Sequence, residues 1–200
     1  MALDQYQEEE EGMSFLDHLE ALRFHILRSV SAILIFTVIA FLAKDIVFGI
    51  IILGPSKVDF LTYRVLCDLG NYMGIPALCI DELPFTIQSR QMTGQFTMHM
   101  TSSLVVGFLV AFPYVFWEIW RFVKPGLKPT ESKSARGAVF YVTFLFFSGV
   151  FFGYYIVSPL AINFLVNFQI DTSIKNQFDI GSYISILATL TLACGIAFQL

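Results

Sequence analysis

The amino-acid sequence predicts an all-α integral membrane protein, a polytopic helical bundle with four spans visible. Three observations carry that prediction. The 200 residues are 56% hydrophobic and only 14% charged, whereas soluble domains are roughly 45–50% apolar with about 25% charged residues. The apolar residues fall in continuous runs rather than in alternation, which selects helices over a β-barrel. The charges collect in a few short segments, above all Ala111 to Gly137, AFPYVFWEIWRFVKPGLKPTESKSARG.

That segment orients the chain. Five of the twelve Lys and Arg residues lie in it (Arg121, Lys124, Lys128, Lys133 and Arg136), and Glu118 and Glu131 are its only acids. Apolar sequence continues on both sides, so 118–136 reads as a short basic loop between spans. Such loops stay in the cytoplasm. The N-terminus is then also cytoplasmic, and loops 44–92 and 158–179 face outside. Residues 1–13 carry Asp4 and Glu8 to Glu11 and read as a disordered, solvated acidic tail. Without those five acids the formal charge of −4 becomes +1. The acidic start and the late first apolar run argue for an uncleaved first span rather than a signal peptide.

Taken in order, residues 14–28 (SFLDHLEALRFHILR) place Phe15, Leu16, Leu19, Leu22, Ile26 and Leu27 at helical spacing. This predicts an amphipathic helix on the cytoplasmic surface, capped by Ser14 and feeding into span one at about 23–43. Ile46 to Leu53 is apolar but too short to span, and is expected at the interface. The long 44–92 connection is expected to hold substructure. Span two is expected at 96–117, kinked by Pro113, with Phe112, Tyr114, Phe116, Trp117 and Trp120 as an interfacial aromatic belt. Residues 137–170 carry no charge. Pro159 is expected to break them, leaving span three at 137–157. Gly149 and Gly153, four apart, offer a face for close helix contact. Span four is expected at 180–200 and is still apolar at Leu200.

Three blocks resemble a known family. HLEALR (His18 to Arg23), FPYVFWEIWRFVKPGL (Phe112 to Leu127) followed by Glu131, and GIAFQL (Gly195 to Leu200) resemble TatC, the multi-span subunit of the twin-arginine protein translocase. The likeness covers about Ser14 to Leu200. It implies six spans in all, a cytoplasmic face that recognises signal peptides with consecutive arginines, and export of folded proteins. It also implies the inner membrane of bacteria, TatA and TatB subunits as partners, self-association, and the proton-motive force as the driver. No cofactor, metal or nucleic acid is implied, and no enzyme activity.

An arginine guanidinium matches carboxylates bidentately, so a receptor for two arginines needs acids at the membrane surface. Asp17 and Glu20 on the first helix and Glu131 in the loop supply them. The resemblance ranks Glu131 first. The family glutamate directly before Leu-Arg is replaced here by Ala21, and Glu20 stands one position earlier, about 100° around the helix. Arg23 matches a family basic residue or anchors the span. Phe122, Pro125 and Gly126 match the loop block and are expected to shape the pocket. Gln199 falls where the family carries Glu or Gln inside span four. It is either a functional polar group or a helix–helix hydrogen bond.

Cys67 and Cys79 share an outer loop, where an oxidising compartment permits a disulfide. Free thiols are the alternative. Cys194 reads as a small apolar residue. His99 with Ser102 and Ser103 suggests a hydrolase only superficially, because hydroxyls in spans commonly bond the backbone. An ion-coupled small-solute transporter is the competing function, but it calls for paired half-helices or several ionisable residues at mid-membrane.

Overall fold

The computed structural model describes residues 15–75, 79–80, 85–124, 137–168, 171 and 177–200, with side chains from Glu20 onward. Four helical segments among them are long and apolar enough to cross a membrane: Glu20–Leu42, Gly94–Val123, Ala138–Asn167 and Ile180–Ala197. The protein is an all-α, multi-pass membrane bundle.

The helices are α1 (Phe15–Leu42), α2 (Leu61–Met73), α3 (Gly94–Val123), α4 (Ala138–Phe152), α5 (Ser158–Asn167) and α6 (Ile180–Ala197). Helices α1 and α3 run antiparallel. His25 meets Glu118 near one end of the pair, and Phe41 stacks on His99 near the other, with ring centroids 4.2 Å apart. The first end also carries Arg23, Arg28, Arg121 and Lys124, all exposed, and is called the basic end. The other is the cap end, where α2 and two short strands gather.

Between those ends the backbones nearly touch. A Cβ added to Gly107 would stand 2.6 Å from Thr37 N and 2.7 Å from Thr37 Cα. A second close approach joins α4 to α6, where a Cβ on Gly149 would meet Cys194 O at 2.6 Å, and one on Gly153 would meet Thr191 Cα at 3.0 Å. The Gly149/Gly153 spacing therefore forms the close-contact face expected of it. Without water to drive burial, spans associate by this kind of tight packing. Phe112 of α3 stacks on Phe146 of α4, centroids 3.6 Å apart, and links the two pairs.

The structure corrects several boundaries. Residues 15–28, expected as a surface helix feeding span one, continue into that span without a break. α1 is one unbroken helix from Phe15 to Leu42, since no Gly or Pro interrupts it. α3 begins at Gly94 and runs through Pro113 to Val123, so it takes in the first residues assigned to the basic loop. The largest correction concerns Pro159. It does not end span three. A π-helical stretch, Gly153–Val157, joins α4 to α5, and the helix continues to Asn167. Pro159 has no N–H for the carbonyl four residues back, Tyr155. That carbonyl instead accepts the Thr62 hydroxyl of α2. The freed group is satisfied from outside the helix, so the helix survives.

The cap end is built around this repair. Tyr63 Oη lies 3.1 Å from both Pro55 O and Pro159 O, and burial pushes its phenol up to about 12, so it remains a donor at neutral pH. Val47–Ile52 forms a π-helical turn. Val47 and Ile52 are buried with Ala40, Ile162, Val166, Tyr183, Ile184 and Leu187, so this apolar stretch lies partly in the core rather than wholly at the interface. Tyr183 Oη donates to Ile52 O at 2.8 Å and Tyr154 Oη to Ile51 O at 2.6 Å. Gly74, at φ 69°, ends α2 in the left-handed conformation, where a Cβ is disfavoured. Cys67 and Cys79 form a disulfide there. Strands β1 (Thr86–Gln88) and β2 (Gln177–Asp179) pair in parallel and were not anticipated. Asp179 joins three pieces: Oδ1 accepts from Arg90 N at 3.1 Å, and Oδ2 accepts from Gly181 N at 2.9 Å, capping α6.

The α1–α3 seam yields a test. Gly107→Ala should destabilise the protein by about 1–3 kcal/mol, because two of the three nearest atoms are backbone and cannot rotate away. Thermal unfolding in detergent reads this, with Gly49→Ala as control, since nothing lies within 4 Å of its added Cβ. Equal stability of the two variants would show that the seam is not tightly packed.

Candidate functional site

The basic end is formed by α1 and α3 together. α3 holds 30 residues, about 45 Å of helix against a hydrocarbon core of about 30 Å. Its last turns, at the basic end, carry Trp117, Glu118, Arg121 and Phe122. Tyr114 stands four residues before Glu118, on the same helix face. On α1, His25 lies on the face turned toward α3.

These residues form one cluster. The Glu118 side chain is 1% exposed. Its Oε2 lies 2.5 Å from His25 Nδ1, and its Oε1 accepts from Tyr114 Oη at 2.9 Å. With Glu118 ionised, Nδ1–H donates and the carboxylate accepts. The Phe122 ring meets the His25 ring edge-on, centroids 6.0 Å apart. Arg121 lies over the Trp117 ring at 5.6 Å, a cation–π contact. Arg28 and Tyr114 border one cleft with Phe24 and Leu27. A buried carboxylate with both oxygens bonded ties α1 to α3 through charge-assisted hydrogen bonds.

The residues expected to bind signal peptides are distributed around this cluster. Glu20 and Arg23 are exposed on α1. Position 21 lies about 40° from His25 around the helix, whereas Glu20 lies about 140° away. Ala21 is accordingly half-buried and Glu20 exposed, so Glu20 does not occupy the angle that Ala21 leaves. Phe122 is half-buried against His25. Glu131, Pro125 and Gly126 lie outside the described residues, as does the Asp17 side chain. The last helix ends at Ala197, short of the expected boundary at 200, so Gln199 stands in the turn after α6, and its Nε2 donates to Val142 O of α4 at 2.9 Å.

The sequence reading missed His25 and Glu118 as a pair. Its available signal was an acid inside the aromatic run YVFWEIW, one turn after a tyrosine, because an ionisable group at membrane depth calls for a partner. The hydrolase arrangement does not form. His99 Nε2 and Ser102 Oγ both lack a hydrogen-bond partner among the described residues, Ser103 Oγ donates to the His99 carbonyl at 2.8 Å, and the His99 ring packs on Phe41 and Phe48. Among the described residues no group of three His, Cys, Asp or Glu side chains is placed to hold a metal.

Comparison with known proteins agrees with this architecture. Residues 17–200 match the family described as Sec-independent protein translocase protein (TatC). The TatC protein of Blattabacterium sp. subsp. Periplaneta americana is 40% identical over 192 residues, covering 95% of this chain and 72% of the relative. That of Carboxydothermus hydrogenoformans is 29% identical, covering 96% of this chain and 68% of the relative. A crystal structure of the twin arginine translocase receptor TatC superposes with a TM-score of 0.67 at 28% identity, covering 91% of this chain and 70% of the other. None of these comparisons supports a small-solute transporter, and the chain belongs to the TatC family of Sec-independent protein translocases.

Proposed function

We propose that this chain is the signal-peptide receptor and scaffold subunit of a translocase that exports folded proteins bearing twin-arginine signals. The basic end faces the cytoplasm of a bacterium, and the chain sits in the inner membrane beside TatA and TatB subunits and further copies of itself. The observation that carries the reading is the α1–α3 junction: a buried acid clamp, His25–Glu118–Tyr114, holds the end of α1 that bears Glu20 against the end of α3 that leads to Glu131. Guanidinium groups are the natural ligands of acids presented in a fixed frame. Glu131 and Glu20 contact the arginines, Phe122 and Pro125 shape the pocket, Arg23 anchors α1, and Glu118 positions the frame. The scarcity of ionisable residues in the spans favours a scaffold over an ion-coupled carrier.

The direct test is peptide affinity in nanodiscs. Glu131→Gln should weaken binding of a twin-arginine peptide by about ten- to over a hundredfold, the loss of a charged hydrogen bond worth roughly 1.5–3 kcal/mol, with a smaller loss for Glu20→Gln. A twin-lysine peptide serves as control. Wild-type affinity in Glu131→Gln would remove that residue from the site.

The clamp has a separate signature. Glu118→Ala should cost about 3–5 kcal/mol of stability, because His25 loses its buried partner. In the double variant with His25→Ala the two losses should be less than additive. Strict additivity in thermal unfolding would show that the pair is not coupled.

Sidedness is tested by labelling intact cells. Ser132→Cys should resist an impermeant thiol reagent applied from outside, and Asp59→Cys should react. The reverse pattern would invert the topology.

A further inference from the structure

Helix α2 presents three distinct faces. Counting about 100° per residue from Leu61, Tyr63, Cys67 and Gly70 fall within roughly 180–240°, the face turned to the protein, where Tyr63 and Gly70 are buried. Arg64, Asp68 and Asn71 fall within roughly 280–340° and are exposed. Leu61, Val65, Leu69, Tyr72 and Met73 fall within roughly 0–120° and are exposed, from 47% at Leu69 to 90% at Tyr72, while Thr62, near 100° at the start of the helix, is half-buried against span three. A helix standing in water mixes polar residues over its free surface. Here the free surface is divided into one polar and one apolar arc, the pattern of a helix lying between two solvents.

Its depth agrees. The Thr62 hydroxyl donates to Tyr155 O, and Tyr63 Oη lies 3.1 Å from Pro159 O, so the first turn of α2 is fixed to residues 155–159 of span three. That span starts at Ala138 at the basic end, and about 20 residues of helix cross the hydrocarbon. Counted from Ala138 as the entry to the hydrocarbon, residues 155–159 fall at the boundary between acyl chains and headgroups. The apolar arc also continues an existing lipid-facing surface. Phe60 and Leu61 line one cleft together with Phe151 and Tyr155 of span three, and Phe151 is 57% exposed on a helix that crosses the bilayer. Asp59 and Arg64, 3.5 Å apart and both solvent-accessible, stand at the level of headgroups.

We propose that α2 is an interfacial helix of the leaflet at the cap end, with lipid acyl chains covering Leu61, Val65, Leu69, Tyr72 and Met73. The loop between spans one and two is then part of the membrane-embedded body, and the Gly74 turn and the Cys67–Cys79 bond secure the far end of the helix where the chain leaves the surface. This inference rests on the membrane bundle and is independent of the signal-peptide reading.

Site-directed spin labelling decides it. In a Cys194→Ser background that keeps the Cys67–Cys79 disulfide, labels are placed singly by Val65→Cys, Leu69→Cys, Tyr72→Cys, Arg64→Cys and Asp68→Cys. The full chain is placed in vesicles of phosphatidylethanolamine and phosphatidylglycerol. Collisions with oxygen should exceed those with a water-soluble nickel chelate at 65, 69 and 72, with the order reversed at 64 and 68. Nickel-dominated collisions at all five sites would place α2 in water and overturn the proposal. Shielding of 65, 69 and 72 from both probes would also overturn it, because protein, and not lipid, would then cover the arc.

Discussion

The α1–α3 seam is the contact on which the rest of the structure depends. Gly107 lets the backbone of α3 approach Thr37 of α1 to a distance that no side chain tolerates. Two helices that close share one frame along their length. The Phe41–His99 stack marks the frame at the cap end and the His25–Glu118 bond marks it at the basic end. A shift of one helix by a single turn would separate the buried carboxylate from its donors and leave it in a region of low dielectric, a cost far above that of losing one van der Waals contact. Packing brings the helices together, and the polar pair selects the register.

At the cap end the same rule of satisfied polar groups acts on the backbone. A proline in a span removes one donor, and in hydrocarbon the orphaned carbonyl costs several kcal/mol unless something replaces it. Thr62 replaces it, and Tyr63 bonds the carbonyl of Pro159 itself. The proline whose sequence context marks it as the end of span three is therefore the point at which α2 is attached. The π-helical stretch before it widens the helix locally, and Tyr154 in that stretch reaches Ile51 O. Loop and span specify each other there, which accounts for an ordered helix in a connection that has no extended apolar core of its own.

Much of this fold was legible in the sequence, and the misses share a cause. Long charge-free runs and the basic loop reveal four spans because lipid imposes them on composition. The Gly149/Gly153 spacing revealed a helix contact because small residues have a local meaning. What could not be read were partnerships across distance. Pro159 looked like a terminator because Thr62, which replaces its missing donor, lies 93 residues from the carbonyl it reaches. Glu118 looked like a loop charge because His25, its partner, is also 93 residues away, and because α3 extends nearly two turns further than hydropathy suggested. The β1–β2 pairing is three residues long on each side, below the length at which alternation becomes a signal. The basic loop that holds Glu131 and Pro125 lies outside the described residues, so the reading of those two positions rests on the sequence and the family.

The accessibility of the acids at the basic end separates their roles. Arg23, Arg28, Arg121 and Lys124 are all exposed there, so the surface repels a cationic peptide unless exposed carboxylates offset it. Glu118 does not supply that offset. Both its oxygens are already bonded and its side chain is 1% exposed, so an incoming guanidinium would first have to displace His25 and Tyr114. Glu20 is exposed and turned away from α3, free to meet a ligand at the surface but poorly placed to brace the helices. Where the family pattern calls for a glutamate at position 21, on the face of α1 that looks toward α3, this chain has alanine, and an acid reaches that face from α3 instead. One carboxylate is thus committed to holding α1 in place. Under the proposed function, attraction of a twin-arginine signal falls to Glu20 and Glu131, while Glu118 braces the end of α1 that bears Glu20.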